Sequence, residues 1–204
     1  MNAGGPRRTL TPGNVVKTVS AVLSSAPVLL AAMVKPKIAP ALREKVVLGV
    51  TSITKCGYCQ WGHTHWAMAH GVPLEEINAI LGNESESLRA ADPAEAAAIL
   101  FARQYAESPD SLDPRAIEGL REHHGDAEVA ELLAYVRAIT LGSLTGNTAD
   151  AFLDRFRGAS RLRREDRGNV AFEAVVAIAA APVLAVLAVL ARLDRRLLPL
   201  RTRR

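Results

Sequence analysis

The chain contains only two cysteines, and both lie in the segment Lys55-Cys56-Gly57-Tyr58-Cys59-Gln60-Trp61-Gly62-His63. A structural disulfide framework spaces its cysteines to close longer loops, and bridging so short a loop removes little chain entropy. Reactivity therefore accounts for the pair better than stability does. If a helix begins near Cys56, then Cys59 lies one turn on and His63 four residues further, all on one face. The reactive form of such a pair is a thiolate, favoured here by exposed amides at the helix N-terminus, by the adjacent Lys55, and by His63 as proton acceptor. A second thiol one turn away would capture a sulfenic acid before irreversible oxidation.

The same residue types admit two other readings. Cys-x2-Cys-x3-His offers three zinc ligands, with His65, His123 or His124 as a fourth, although none stands at a recognisable spacing. Two free cysteines can also be small buried apolar groups. Residue types alone leave redox, metal and core readings open, with redox first. His65, His70, His123 and His124 are expected at the surface or at helix ends. Trp61 and Trp66 are expected in a core or interface, and Asn147 at a helix junction.

The elements that must carry these residues read as helices. Two short ones are expected over Asn14–Ser24 and Pro27–Val34, behind a loose segment 1–12. Pro40 then opens a helix with Leu42, Val46, Val47, Val50 and Ile53 as its apolar stripe, ending near Lys55. Further helices are expected from Cys59 to His70, from Pro73 to Gly82 and Asn83, from Asp92-Pro93 to Ser108, and from Asp113-Pro114. A long one starts at Asp126, with a bend at Gly142 and Gly146. No alternating run of β-branched residues survives between the breakers, which excludes a sheet. From Ala174 to Ala191 the chain carries no charge, at the lower limit of the ~20 residues that span a bilayer. Either a helix packed on the domain or a partner, or a membrane anchor or membrane-lying helix, fits this run.

Eleven residues separate Glu44 from Cys56, so the chain contains Glu-x11-Cys-x2-Cys-x3-His. In this it resembles the AhpD-like branch of the carboxymuconolactone decarboxylase family. The surroundings are similar too: Leu42-Arg43-Glu44, Ala67, Gly71-Val72-Pro73 before Glu75-Glu76-Ile77, Tyr135 to Thr140, and Gly146-Asn147-Thr148-Ala149-Asp150. The likeness runs from about Lys35 to Phe156, about one domain's length.

The resemblance implies an all-α domain of about six helices, over residues 35–160, forming a homo-oligomer. Residues 1–34 would be an N-terminal extension and 161–204 a hydrophobic C-terminal helix flanked by arginines. It implies that Cys59 is the thiolate that attacks an organic hydroperoxide, Cys56 the resolving thiol, His63 the proton carrier and Glu44 the group completing that relay. Twelve residues of continuous helix would hold Glu44 ~18 Å from Cys56, so the chain has to turn back between them. No organic cofactor or metal is required. The electron donor it suggests is a lipoyl-bearing or thioredoxin-like dithiol. Tyr58 stands where some relatives have a histidine, which bears on the relay and the rate. The competing activities are general thiol-disulfide exchange, a non-enzymatic metal or interaction module, and lactone decarboxylation, which gains nothing from a redox dithiol.

Composition sets the remaining bounds. Of 204 residues 49% are hydrophobic but only 4% aromatic, so the interior is built from Ala, Val, Leu and Ile. The net charge of +4 comes from arginines at 155–167 and beyond 192, not from the middle of the chain. With no recognition motif, nucleic-acid binding is excluded. A reducing, cytoplasmic location is expected, since Lys17 interrupts the apolar N-terminal run that an export signal needs, with membrane association through 174–191 as a further expectation.

Overall fold

The computed structural model describes residues 8–82, 92–109, 113–156 and 168–201, with side chains of the last element as far as Leu193. Among these residues there are eight helices and no strand. In chain order they are α1 Val15–Val34, α2 Pro40–Thr54, α3 Gly57–Ala69, α4 Leu74–Gly82, α5 Pro93–Glu107, α6 Pro114–Arg121, α7 Asp126–Phe156 and α8 Val170–Arg201. The expected all-helical class and long apolar C-terminal helix are both present. Asn83 and the expected boundary at 160/161 lie outside the described residues.

The sequence pattern of α2 suggests a single apolar stripe, but the helix is buried nearly all round. Val46, Val47, Leu48 and Val50 are buried together with Thr51, Ser52 and Thr54, because α3, α4, α5 and α7 surround it. Polar groups so placed must be satisfied internally. The hydroxyls of Thr51, Ser52 and Thr54 donate back to the carbonyls of Leu48, Gly49 and Val50 at 3.0, 2.7 and 3.2 Å. Gly49 allows α5 to approach, since a Cβ there would stand 3.3 Å from both the side chain and the carbonyl of Ile99. One apolar cluster joins Val46 and Val50 to Phe101, Tyr105, Leu132 and Val136. A second joins Leu48 to Ala67, Ile77, Ile80 and Ile99. Lys45 ties α2 to its neighbours, donating to both Glu95 oxygens at 2.8 Å and lying 2.5 Å from Glu76.

Several helix starts follow the expected chemistry. Pro40, Pro93 and Pro114 occupy first-turn positions, and Asp92 and Asp113 accept hydrogen bonds from the amides just beyond them. α7 is one helix through Gly142 and Gly146. Two expectations fail. α1 is one helix through Pro27 rather than two, because packing along α7 outweighs the single donor that a proline removes. Residues 8–12 are held, not loose: Leu10 is buried, its amide donates to Thr148 Oγ1 at 2.7 Å, and the Arg8 guanidinium donates to the carbonyls of Ala106 and Glu107.

Asn147 connects these parts. Its Nδ2 donates to the carbonyls of Thr54 at 2.7 Å and Arg8 at 2.9 Å, from a fully buried position on α7, as expected of a helix-junction residue. Asn147→Leu leaves both carbonyls without that donor and is expected to cost about 2–4 kcal/mol. A urea unfolding midpoint that falls accordingly, with unchanged slope, checks this.

α8 runs back along α7, its start fixed by Arg155, which meets buried Glu173 through two hydrogen bonds of 2.7 and 3.0 Å. Near its start, Val176 packs with Leu10 and Leu144. Beyond that contact α8 is not a buried helix: Ile178, Val183 and Val186 are 60–73% exposed. Both α1 and the 24-residue stretch Val170–Leu193 are long and apolar enough to cross a membrane. The expectation had covered only the second, because α1 was split at Pro27.

Candidate active site

The reactive segment forms where α2 stops and α3 begins. Lys55 ends α2 in the left-handed conformation, with φ 58°, a geometry that a side-chain-bearing residue adopts only when its surroundings impose it. Here the α2 carbonyls are taken up as the chain reverses: that of Thr51 accepts from the Lys55 amide and from Gln60 Nε2, and that of Thr54 from Asn147. Cys56 then caps α3, its Sγ accepting from the Cys59 amide at 3.4 Å. The reversal brings Glu44 back to α3, where its Oε2 lies 2.7 Å from His63 Nδ1. The four residues singled out from the sequence thus form two contacting pairs, Cys56 with Cys59 where α3 begins and Glu44 with His63 between α2 and α3.

The two sulfurs have unequal surroundings. Cys56 is fully buried and Cys59 half-buried, and Cys56 Sγ donates to Cys59 Sγ across 2.7 Å. The hydrogen bond from Cys56 pulls Cys59 below the usual thiol range against the opposing effect of burial, with help from Ser143 and from the Cys59 amide. Ser143 Oγ is buried on α7 and makes no hydrogen bond of ordinary geometry, which leaves it available to a Cys59 thiolate. Cys56 is held protonated, well above the usual range, by its bond to Cys59, by burial and by the nearby Asp150 carboxylate. Lys55 and His63, expected to support the thiolate, are not among the groups that lower Cys59. That support comes from Cys56 and Ser143 instead.

Glu44 is buried and has both oxygens engaged, Oε2 by His63 and Oε1 by Arg43 at 2.9 Å. Burial alone would raise its pKa, but these two partners together hold it below the usual carboxylate range. The His63 ring meets Trp66 edge to face, with centroids 4.9 Å apart. Trp66 is 55% exposed, which excludes the core alternative of its core-or-interface expectation, while Trp61 is half-buried against His65. Tyr58 donates from its hydroxyl to Asp150 Oδ1 at 2.8 Å, fixing the first turn of α3 to α7.

Among the described residues no three His, Cys, Asp or Glu side chains converge to hold a metal ion. His123 and His124 lie at the end of α6, within the surface or helix-end expectation, and His124 is buried there with Nε2 2.9 Å from the Ala94 carbonyl. His70 is exposed beside Arg43, and His65 lies against the Trp61 carbonyl.

Sequence reasoning missed Ser143, Arg43 and the purpose of Gly146. A Cβ at Gly146 would stand 3.1 Å from Cys56 Sγ, so this glycine makes room for a thiol. Its place in the Gly-Asn-Thr segment was the only available signal. Above the sulfurs, a cavity of about 610 Å³ separates α1 from α8, with both cysteines in its lining.

No curated protein and no solved structure matches the chain. Residues 26–104 match the family model described as carboxymuconolactone decarboxylase family. The matched segment contains Glu44, Cys56, Cys59 and His63 but stops short of α7, so the likeness read at Tyr135–Thr140 and Gly146–Asp150 lies beyond it. The segment that holds Glu44, Cys56, Cys59 and His63 is thus similar to the carboxymuconolactone decarboxylase family, which includes the AhpD-like proteins.

Proposed function

We propose that the protein is a thiol-dependent peroxidase that reduces organic hydroperoxides. The observation that carries this reading is the asymmetry of the two sulfurs: an accessible Cys59 stabilised as thiolate stands 2.7 Å from a buried, protonated Cys56. An attacking thiol must be ionised and reachable, whereas a resolving thiol need only be close.

The cycle balances as a two-electron reduction. Cys59 Sγ attacks the terminal peroxide oxygen, the O–O bond breaks, and the alkoxide leaves as alcohol with a proton supplied through His63. Cys59 is then a sulfenic acid. Cys56 gives up its proton and attacks that sulfur, expelling water and forming the disulfide. An external dithiol, lipoyl-bearing or thioredoxin-like, restores both thiols by exchange. Glu44 holds the His63 ring through Nδ1 and leaves Nε2 for proton traffic. A reducing, cytoplasmic setting and assembly into a homo-oligomer belong to the same reading.

The test is a thiol count before and after one equivalent of cumene hydroperoxide. Wild type is expected to lose both thiols, Cys56→Ser to trap a sulfenic acid on Cys59, and Cys59→Ser to keep Cys56 reduced. Exchange with dithiols but no thiol loss to peroxide would instead favour a general thiol-disulfide oxidoreductase.

A further inference from the structure

α1 and α8 both pack on α7 but not on each other, and the cavity between them reaches down to the dithiol. Val15 and Val19 line it from α1, and Val176, Ala180 and Val183 from α8, with Cys56 and Cys59 at its base. None of its lining residues is charged. At about 610 Å³ it is the size of a small-molecule site. Nothing in it would anchor an ionic head group, so this route to Cys59 suits a substrate with an apolar body.

The outer faces of the same two helices are apolar as well. Leu23, Leu30 and Met33 on α1 are 65–81% exposed, and Val186 and Val189 on α8 are 60% and 52% exposed. Each helix has bilayer-scale length and composition, yet each is fastened along α7, α1 by Arg137 to Ser25 and α8 by Arg155 to Glu173. That arrangement suits a helix pair lying in a membrane interface better than two independent spans. Between 192 and 204 the chain carries six arginines against one aspartate, the charge that anionic head groups attract.

We propose that the α1–α8 face docks on an anionic lipid bilayer, and that the cleft between these helices admits the acyl chain of a lipid hydroperoxide to Cys59. This rests on the peroxidase reading and names its substrate class. The chemistry is unchanged: Cys59 becomes the sulfenic acid, and the lipid alcohol leaves with the proton supplied through His63.

Reduced full-length protein is floated with vesicles of phosphatidylcholine and phosphatidylglycerol that carry phosphatidylcholine hydroperoxide. Turnover of the vesicle-borne peroxide is compared with that of tert-butyl hydroperoxide in water. The protein is expected to float and to oxidise its thiols with the lipid peroxide. Leu23→Asp combined with Val186→Asp is expected to lower both the floated fraction and the ratio of lipid to soluble turnover at least roughly tenfold. Both positions are exposed, and an unchanged helical circular dichroism spectrum verifies the fold. Ala180→Trp is expected to lower the ratio while the protein still floats.

Protein that consumes the soluble peroxide but stays out of the vesicle fraction overturns this inference and leaves the peroxidase reading standing. So does a stable dimer, with no vesicle binding, that the double variant converts to monomer, since a second copy is then what covers the face. Protein that floats but loses thiols to neither peroxide overturns the peroxidase reading and the substrate assignment with it.

Discussion

Cys59→Ser is expected to lower steady-state hydroperoxide turnover by at least about 10³-fold, because no other group in the cavity can take up the transferred oxygen. Cys56 is no substitute, being buried and held protonated by its surroundings. Cys56→Ser should fail differently. Cys59 keeps its exposure and its Ser143 neighbour, so the first turnover proceeds. With no resolving thiol, the sulfenic acid accumulates and multiple turnover stops. Rapid-mixing peroxide consumption over the first turnover, set beside the steady-state rate, separates the two variants.

Glu44→Gln is expected to reduce turnover by about 10²–10⁴-fold, the usual range for removing support from a general acid or base. The amide is nearly isosteric but carries no charge to hold the His63 ring through Nδ1 at 2.7 Å, and it leaves Arg43 without its carboxylate partner. A stability change with pH accompanies this loss. The folded-state pKa of Glu44 lies below its unfolded value of about 4.3. Its contribution is therefore fully present above that value and disappears as pH falls through the lower folded-state value. Wild type should accordingly lose stability on acidification below about pH 4 more steeply than Glu44→Gln. Urea midpoints between about pH 3 and 7 give the comparison.

Most of the frame was legible in the chain because its signals are local. Pro40, Pro93 and Pro114 mark helix starts by their backbone chemistry, and Asp92 and Asp113 by their caps. Apolar periodicity then carried α5 and α7 along their length. The errors arose where tertiary packing overrides local preference. Pro27 reads as a breaker yet lies inside α1, which α7 supports along its length. Gly146 reads as a bend, and only the placement of α3 shows that its small size makes room for the Cys56 sulfur.

The site divides in the same way. Cys56, Cys59 and His63 share one short stretch of chain, so their grouping could be seen from spacing. Glu44 was reached only through family resemblance, because its position depends on the left-handed turn at Lys55, and no spacing rule reveals such a turn. Ser143 was out of reach altogether. It lies on a helix more than eighty residues away and has no feature to set it apart from any other serine until α7 is placed against α3.

The central claim is that Cys59 ionises first and Cys56 retains the proton. Alkylation of the reduced protein by iodoacetamide, followed residue by residue by mass spectrometry as pH is raised, measures this directly. The midpoint for Cys59 is expected to fall below the ordinary thiol value of about 8.5 and to rise in Ser143→Ala, with Cys56 remaining unmodified throughout. A Cys59 midpoint at or above the ordinary value, or prior alkylation of Cys56, would contradict the account.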